Sequence, residues 1–355
     1  MITTLRLQHF RNYKDAVFSF GPQVTIIAGP NGSGKTNLLE ALLVVARGSS
    51  YRTRDPDLLQ FGATWARLDA EASTTPRTIK IQTTPENTTT KAFEINGQVL
   101  SRIPLGRTIP AVVFEPNHLL LFYGPPDLRR NFLDDLLEQT TPRYSAVRRH
   151  YKRVLAQRNN LLKKQPANLK EQLFVWNIRL SELGGQIARQ RQELLGRLNT
   201  QISDVYSAIA ERPHHVQLQY DSRFPCQNYE TSMLHKLEQD LPLDIARGFT
   251  ASGPHRDDIR VTINGHHAST TASRGETRTL ILVLKILEAH IIEEVRNESP
   301  LLLLDDVFSE LDSLRRSALT ALVATHQTVI TTTDADKLGI VPKQQAQHQT
   351  IFLNP

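Results

Sequence analysis

The chain has 355 residues, a formal net charge of +6 and one cysteine, Cys226. This length predicts one large or two unequal domains, and a lone cysteine excludes an internal disulfide and is a poor metal ligand. No apolar run approaches the roughly 18 residues that a membrane span needs, and the charged segment 1–12 lacks the apolar core of a signal peptide, so the sequence predicts a soluble, cytoplasmic protein.

The positive charge is concentrated in one part of the sequence. Residues 125–200 contain 15 Lys or Arg and 7 Asp or Glu, an excess of +8, which leaves the rest of the chain at about −2. Such a region is either the solvated face of a group of helices or a surface that binds a polyanion. Charge alone leaves both readings open.

The first 40 residues predict strand, turn, strand, loop and helix. The apolar run 24–28 is typical of a buried strand, and the Leu- and Ala-rich segment 35–47 predicts a helix. Between them, Gly29-Pro-Asn-Gly-Ser-Gly-Lys-Thr36 fits G-x-x-x-x-G-K-[ST], the phosphate-binding loop, in the strand-to-helix context that this loop requires.

The loop predicts a site for ATP and Mg2+. Its backbone N–H groups and the start of the helix favour phosphate oxygens; Lys35 is expected to reach the β and γ phosphates, and the Thr36 hydroxyl to bind Mg2+. The cofactor-binding residues that the loop predicts are Gly29, Pro30, Asn31, Gly32, Ser33, Gly34, Lys35 and Thr36.

Residues 65–100 predict antiparallel strands with a hairpin turn at Asn96-Gly97. From about 127 to 211 the periodicity is helical and is interrupted at Pro142, Pro166 and Pro213, which predicts about three helices. We interpret the chain as an ATPase domain in two parts, 1–115 and 241–355, with a mainly helical lobe, 116–240, inserted between them. The two parts are expected to form one sheet.

The alternation of strands and helices returns after Pro213. Residues 257–265 predict a strand that enters a turn, 276–296 a helix, 301–304 a buried strand and 328–332 a last strand. Asp305 and Asp306 follow the third of these segments, which is the Walker B arrangement. We expect Asp305 to hold Mg2+ and Asp306 to position or deprotonate the attacking water.

Ser273-Arg-Gly-Glu276 precedes the Walker B strand. Alone, this motif would be read as a helix N-cap, but in this order and spacing it resembles the signature motif of ABC-type ATPases, with Glu276 where transporters usually carry Gln. The resemblance implies that Ser273 and Gly275 bind the γ-phosphate of a partner's ATP, so that ATP induces a two-fold homodimer. The segment 309–312 resembles the D-loop of such a dimer, and residues 331–333 stand where many relatives have a phosphate-sensing His.

Five stretches resemble the RecF family of bacterial DNA-repair proteins, and together they cover essentially the whole chain. They are residues 7–13, 116–134, 151–162, 253–258 and 305–312. Asn117 departs from the family, whose members usually have an acidic residue there. The resemblance implies an α/β, ABC-type P-loop ATPase head, built from a mixed sheet with helices and a β side layer, with the inserted helical lobe. It also places Arg11 near the nucleotide.

The resemblance further implies an ATP-gated clamp for duplex DNA beside single-strand gaps. It would act with RecR and RecO to load the recombinase RecA in replication-linked repair and the SOS response. Hydrolysis is expected to be slow, because Asp306 is one methylene shorter than the Glu of many relatives, and to serve as a switch. Contact with phosphates is expected; the candidate residues are Arg129, Arg130, Arg148, Arg149, Lys152 and Arg153.

Two other functions remain open. One is an ATPase of the same superfamily that controls a protein complex without binding DNA. The other is a P-loop kinase, which would need a pocket for the phosphoryl acceptor and would leave the Ser273 motif without a role.

Overall fold

The computed structural model describes residues 1–72, 75–86, 88–333 and 348–354. The chain divides into two compact units: unit 1 comprises Met1–His118 and Leu284–Pro355, and unit 2 comprises Leu119–Val283. The predicted lobe, 116–240, falls almost entirely within unit 2. This unit continues beyond the predicted boundary because a strand after residue 240 pairs with a strand before it.

The described residues of unit 1 form two sheets. Their strands are β1 (Ile2–Phe10), β2 (Tyr13–Ser19), β3 (Val24–Ala28), β4 (Trp65–Ala72), β5 (Thr75–Thr83), β6 (Thr89–Ile95), β7 (Gln98–Leu100), β8 (Ala111–Phe114), β12 (Leu301–Asp305), β13 (Thr328–Thr332) and β14 (His348–Phe352). The antiparallel sheet has the strand order β2-β1-β4-β5-β6-β7, and the other sheet, whose strands pair in parallel, has the order β14-β3-β13-β12-β8.

The parallel sheet joins distant parts of the chain. Strands β3 and β8 come from the first part, and β12, β13 and β14 come from the last part. The prediction that the two parts form one sheet is therefore confirmed. Parallel strands that are covered on both faces are typically apolar at nearly every position. Strands β3 and β12 fit this rule, since both are buried along their whole length.

Helix α1 (Lys35–Arg47) forms the core of unit 1. It contacts β1 and β4 of the antiparallel sheet as well as β12 and β13 of the parallel sheet. Ten of its 13 residues are buried, which is the pattern of a helix that is enclosed on all sides. Helix α10 (Ser313–Val323) also lies wholly in unit 1, and its N-cap Asp312 accepts a hydrogen bond from the backbone N–H of Arg315.

Unit 2 is mainly helical, with a small sheet in the order β11-β10-β9. Its elements are α2 (Pro126–Thr140), α3 (Tyr144–Lys164), α4 (Leu169–Asn199), α5 (Ile202–Ala210), β9 (Val216–Asp221), α6 (Tyr229–Gln239), α7 (Leu241–Arg247), β10 (Asp258–Ile263), β11 (His266–His267) and α8 (Ala268–Thr271). Helix α9 (Arg274–Arg296) begins in unit 2 and ends in unit 1.

The prediction of about three helices between residues 127 and 211 was wrong, because the structure has four. Proline accounts for only some of the breaks: α4 ends at Asn199 and α5 begins at Ile202, and the intervening Thr200-Gln201 contains neither proline nor glycine. Across the described residues, no helix combines the length and the apolar character that crossing a bilayer requires.

Candidate functional site

The phosphate-binding loop joins β3 to α1 in unit 1. Gly34 has φ +99°, and a Cβ atom on it would lie 2.5 Å from Asn12 Nδ2 and 2.8 Å from Tyr13 Oη. The Tyr13 hydroxyl donates a hydrogen bond to the Gly34 carbonyl oxygen at 3.0 Å. A glycine is therefore needed here both for the left-handed backbone and for the close approach of β2.

The side chain of Lys35 lies within the loop. Its Nζ donates hydrogen bonds to the carbonyl oxygens of Gly29 at 2.7 Å and Pro30 at 2.9 Å, and the residue is only 8% exposed. These bonds satisfy a buried ammonium group. Since carbonyl oxygens are neutral acceptors, an incoming phosphate would be a stronger partner for this cation.

Asp305, at the end of β12, is bound by hydroxyl groups from two other elements. Its Oδ1 accepts hydrogen bonds from Thr36 Oγ1 at 3.1 Å and from Thr331 Oγ1 at 2.6 Å. Thr36 is on α1 and Thr331 is on β13, the strand next to β12. A carboxylate beside the loop threonine is an all-oxygen donor set of the kind that Mg2+ prefers.

Asp306 follows in a left-handed conformation, with φ +50°. Its backbone N–H donates to the Thr331 carbonyl oxygen at 3.2 Å and to Thr331 Oγ1 at 3.1 Å. Burial raises the pKa of the Asp306 carboxyl, and the neighbouring charge of Asp305 raises it further, although a hydrogen bond from Ser309 opposes both effects. Ser309, predicted to lie in the D-loop, also donates to the Asp306 carbonyl oxygen at 2.7 Å.

The loop and the two aspartates surround one cavity of about 290 Å³ in unit 1. The structure thus brings together residues that are about 270 positions apart in sequence, as the motifs predicted. The residues that line the cavity are Asn31, Gly32, Gly34, Lys35, Thr36, Asn37, Arg52, Pro116, Asp305 and Asp306. Asn37, Arg52 and Pro116 were not predicted as site residues.

Glu115 is a charged residue near the site that the sequence reasoning missed. It follows β8, whose last residue Phe114 pairs with Leu304 just before Asp305. Burial raises the pKa of Glu115; Arg52 lowers it and Asp305 raises it. Its position directly after a buried apolar strand could have indicated that it lies near the site, because the carboxyl ends of parallel strands meet at one edge of a sheet.

Arg11, predicted to lie near the nucleotide, is held by Glu40. Its Nε and Nη2 donate to the two carboxylate oxygens at 2.8 and 3.0 Å, and Nη2 also donates to Thr53 Oγ1 at 2.7 Å. Glu40 is fully buried; burial alone would raise its pKa, but hydrogen bonds from Arg11, Ser50 and Thr53 lower it. Arg11 is not one of the described residues that line the cavity.

The Ser273 motif forms a capping box at the start of α9, within unit 2. Ser273 Oγ donates to Glu276 Oε2 at 2.8 Å, and the Ser273 and Glu276 backbone N–H groups complete the reciprocal pair. These bonds lower the pKa of Glu276. The N-cap reading is therefore realised in this structure, and Ser273 is also exposed, so its hydroxyl is accessible from solvent.

Two of the candidate DNA-binding arginines are held inside unit 2. Arg129 donates to both carboxylate oxygens of Asp258 at 2.7 and 2.8 Å, and Arg148 forms ion pairs of 2.9 Å with Asp134 and with Glu138. Arg148, a candidate for contact with phosphates, is only 16% exposed. Sequence periodicity places a residue on the flank of a helix but does not reveal whether a long side chain folds inward.

The remaining four candidates differ in exposure. Arg130 donates to the Asp257 carbonyl oxygen at 2.7 Å and pairs with Asp127, and its side chain is 13% exposed. The other three, Arg149, Lys152 and Arg153, are exposed on α3. These three residues form what we call the α3 basic face.

Comparison with known proteins identifies the family. Residues 1–344 match the family model described as the RecF/RecN/SMC N terminal domain. The chain is 36% identical to the DNA replication and repair protein RecF of Picosynechococcus sp., covering 95% of this chain and 92% of the relative. It is 38% identical to RecF of Symbiobacterium thermophilum, covering 98% and 95%.

A solved structure agrees with these sequence matches. It is described as the recombination mediator protein RecF-ATPrS in the RecFOR pathway, and it superposes with a TM-score of 0.86 at 26% identity, covering all of this chain and 97% of that one. The predicted fold class, a mixed α/β ABC-type ATPase head, is confirmed.

Proposed function

The chain belongs to the RecF family of DNA replication and repair proteins, and from this premise we propose that it is an ATP-dependent switch that binds DNA at single-strand gaps. One observation carries the proposal: the loop threonine and the first Walker B carboxylate lie 3.1 Å apart beside Lys35, at a cavity lined by the phosphate-binding loop. The relative described as RecF-ATPrS supports ATP as the nucleotide.

The residues of the cavity fit Mg2+ and a triphosphate. Thr36 and Asp305 would hold Mg2+, which would neutralise charge on the β and γ phosphates when bound. Lys35 would exchange two carbonyl oxygens for phosphate oxygens, while the N–H groups at the start of α1 would bind the remaining phosphate charge.

Hydrolysis would depend on Asp306. Its backbone N–H donates two hydrogen bonds to Thr331, which fix the position of Asp306 beside β13. Asp306 would orient the attacking water and accept its proton, and the short side chain would keep the rate low.

The second half of the site would come from another copy of the chain. Ser273 is exposed at the start of a 23-residue helix, so a partner's γ-phosphate could reach its hydroxyl and the helix N-terminus. The phosphate would displace Glu276 from Ser273, since a carboxylate and a phosphate compete for the same donor. ATP would therefore both close the homodimer and open the capping box.

DNA would contact the α3 basic face of both protomers. Three exposed cations on one helix suit sequence-independent binding of backbone phosphates. The resemblance to the family supports duplex DNA beside a gap as the substrate, RecR and RecO as partners, RecA as the recombinase that is loaded, and a role in the SOS response. Arg129 and Arg148 are left out of this surface because Asp258, Asp134 and Glu138 already bind them.

The experiment that tests the proposal is analytical ultracentrifugation without nucleotide, with ADP, and with ATP and Mg2+, each with and without gapped DNA. We expect a dimer only with ATP, lost in Lys35→Met and in Ser273→Arg and stabilised by the DNA. A monomer under every condition would refute the composite site. An ATP-dependent dimer that ignores DNA would instead support control of a protein complex.

The DNA surface has a separate test. We expect the triple variant Arg149→Glu, Lys152→Glu and Arg153→Glu to lose affinity for gapped DNA and to show a shallower salt dependence, because fewer counterions are released on binding. Arg179→Glu, at an exposed arginine on α4, controls for the reversal of one surface charge outside this face. Unchanged binding by the triple variant would remove the α3 basic face from the proposal.

A further inference from the structure

A second cavity, of about 850 Å³, lies in unit 1 at the amino-terminal edge of the parallel sheet. Its lining includes Gln23, Pro110 and Gln327, which directly precede β3, β8 and β13. The nucleotide cavity is at the opposite edge, where the same strands end. Since five strand residues span about 16 Å at about 3.3 Å each, the two cavities are separate sites.

The cavity contains a buried guanidinium group that makes no direct ion pair with a described carboxylate. Arg77, on β5, lines the cavity and is only 8% exposed. Its Nε and Nη1 atoms are buried and have no hydrogen-bond partner among the residues that the structure describes. Burial lowers the pKa of Arg77, and the charge of Glu298 opposes this only in part, which reflects the cost of keeping a cation away from water.

Glu298 is the acidic residue in the cavity lining, but another arginine holds it. Its Oε2 lies 3.3 Å from Arg296 Nη2, and Arg296 is fixed in turn by two hydrogen bonds to Thr108. Within the described parts of the chain, no carboxylate lies within 4.0 Å of the Arg77 guanidinium. The charge of Glu298 is thus shared, and Arg77 retains unused donors.

The other charged and titratable groups of the lining are also positive or can become so. Arg107 donates to Gln98 Oε1 at 2.6 Å and is exposed at the cavity rim. His326 is 5% exposed, and its Nδ1 lies 2.9 Å from the Leu322 carbonyl oxygen. The imidazole Nε2 makes no hydrogen bond among the described residues, and the nearest carboxylate oxygen recorded for it, Glu293 Oε2, lies 3.8 Å away.

We propose that this cavity is a binding site for a compact oxyanion, a carboxylate or phosphate group, with Arg77 as its principal ligand. The planar guanidinium, with donors already desolvated, favours such a group strongly, and the anion would supply the direct ion pair that Arg77 lacks. Two sources share this chemistry: a free inorganic anion, and an acidic side chain on a partner polypeptide.

The test measures the thermal stability of the full-length chain in phosphate, in the acidic peptide acetyl-tetraglutamate amide, and in chloride of equal ionic strength. All proteins carry Lys35→Met, so that anion binding at the phosphate-binding loop is weakened equally. Arg77→Met is compared with Lys80→Met, which removes a cation from the same strand but at an exposed position. Arg77→Lys keeps the charge with fewer donors.

We expect the parent and Lys80→Met to gain stability with phosphate or with the peptide, and Arg77→Met to bind at least about tenfold more weakly, the effect of one charge-assisted hydrogen bond. In chloride alone Arg77→Met should melt above the parent, because an unpaired buried cation is removed. A response to phosphate alone identifies a free anion, and tighter binding of the peptide identifies an acidic segment. If the parent responds to neither, or if Arg77→Met responds as the parent does, the proposal is overturned.

Discussion

The buried ion pair between Arg158 and Asp244 gives the sharpest prediction about stability. Arg158 is fully buried, its Nη1 lies 2.8 Å from Asp244 Oδ2, and the Asp244 side chain is 2% exposed. The same guanidinium donates to Asn177 Oδ1 and Thr250 Oγ1. The network therefore connects α3, α4 and α7 inside unit 2.

The proposed perturbation is Asp244→Asn, which removes the charge and retains the size of the side chain. It leaves a buried guanidinium without its counter-ion, so we expect the free energy of unfolding to fall by about 3–5 kcal/mol. Burial lowers the pKa of Arg158, which agrees with a substantial cost of holding this cation in the interior. The double variant Arg158→Met with Asp244→Asn should lose less than the single variant, because no isolated charge remains.

Urea unfolding monitored by tryptophan fluorescence provides the assay. The chain has two tryptophans; with Trp65→Phe as background, Trp176 on α4 reports on unit 2. The control pair is Arg179–Glu182, which has the same 2.8 Å separation with side chains 46% and 47% exposed, and Glu182→Gln should cost no more than about 1 kcal/mol. If Asp244→Asn and Glu182→Gln lowered the free energy of unfolding equally, the argument that burial decides how much an ion pair contributes to stability would be refuted.

Three further predictions concern the nucleotide site. Gly34→Ala should abolish binding of a fluorescent ATP analogue, because its Cβ would meet Asn12 and Tyr13 at 2.5 and 2.8 Å; retained affinity would show that the loop can shift. Asp306→Asn should retain ATP binding but reduce single-turnover hydrolysis by about 10²-fold or more, whereas an undiminished rate would exclude it as the base. Burial raises the pKa of Glu115 in the folded chain above its usual 4.5, so the ionised carboxylate lowers the free energy of unfolding near neutral pH. Stability should therefore rise as the pH falls from 7 towards 4.5 and Glu115 takes up a proton. Urea unfolding across this range should show a smaller change of the unfolding free energy with pH in Glu115→Gln than in the unaltered chain, and an identical change would contradict the raised pKa.

Elements that depend on local pattern could be predicted from the sequence. Helix α1 and strand β13 have the predicted bounds, and β12 extends one residue beyond its prediction. In each case the signals that fix the bounds are local: the apolar pattern of the element itself and a glycine or carboxylate within a few residues of its end. The meeting of Thr36 with Asp305 was also predictable, since both motifs have a fixed place at the carboxyl edge of a parallel sheet.

Features that depend on distant pairing could not be predicted. The side chain of Arg129 is bound by Asp258, a partner 129 residues away, and nothing near either residue in the sequence indicates the other. Glu115 reaches the site only because β8 is the neighbour of β12. The interruption at Thr200-Gln201 has no proline or glycine to mark it in the sequence.

The order of strands in the parallel sheet has a consequence for folding on the ribosome. Strand β3, which carries the phosphate-binding loop, is flanked by β13 and β14, so Val24 pairs with Thr328 and His348. At about 5–20 residues per second, synthesis reaches these partners roughly 15–65 s after β3 itself. Unit 2 is a continuous segment and can collapse within that interval, whereas β3 must wait with both edges open. A chaperone that shields nascent strands would therefore matter most for the amino-terminal part of this protein.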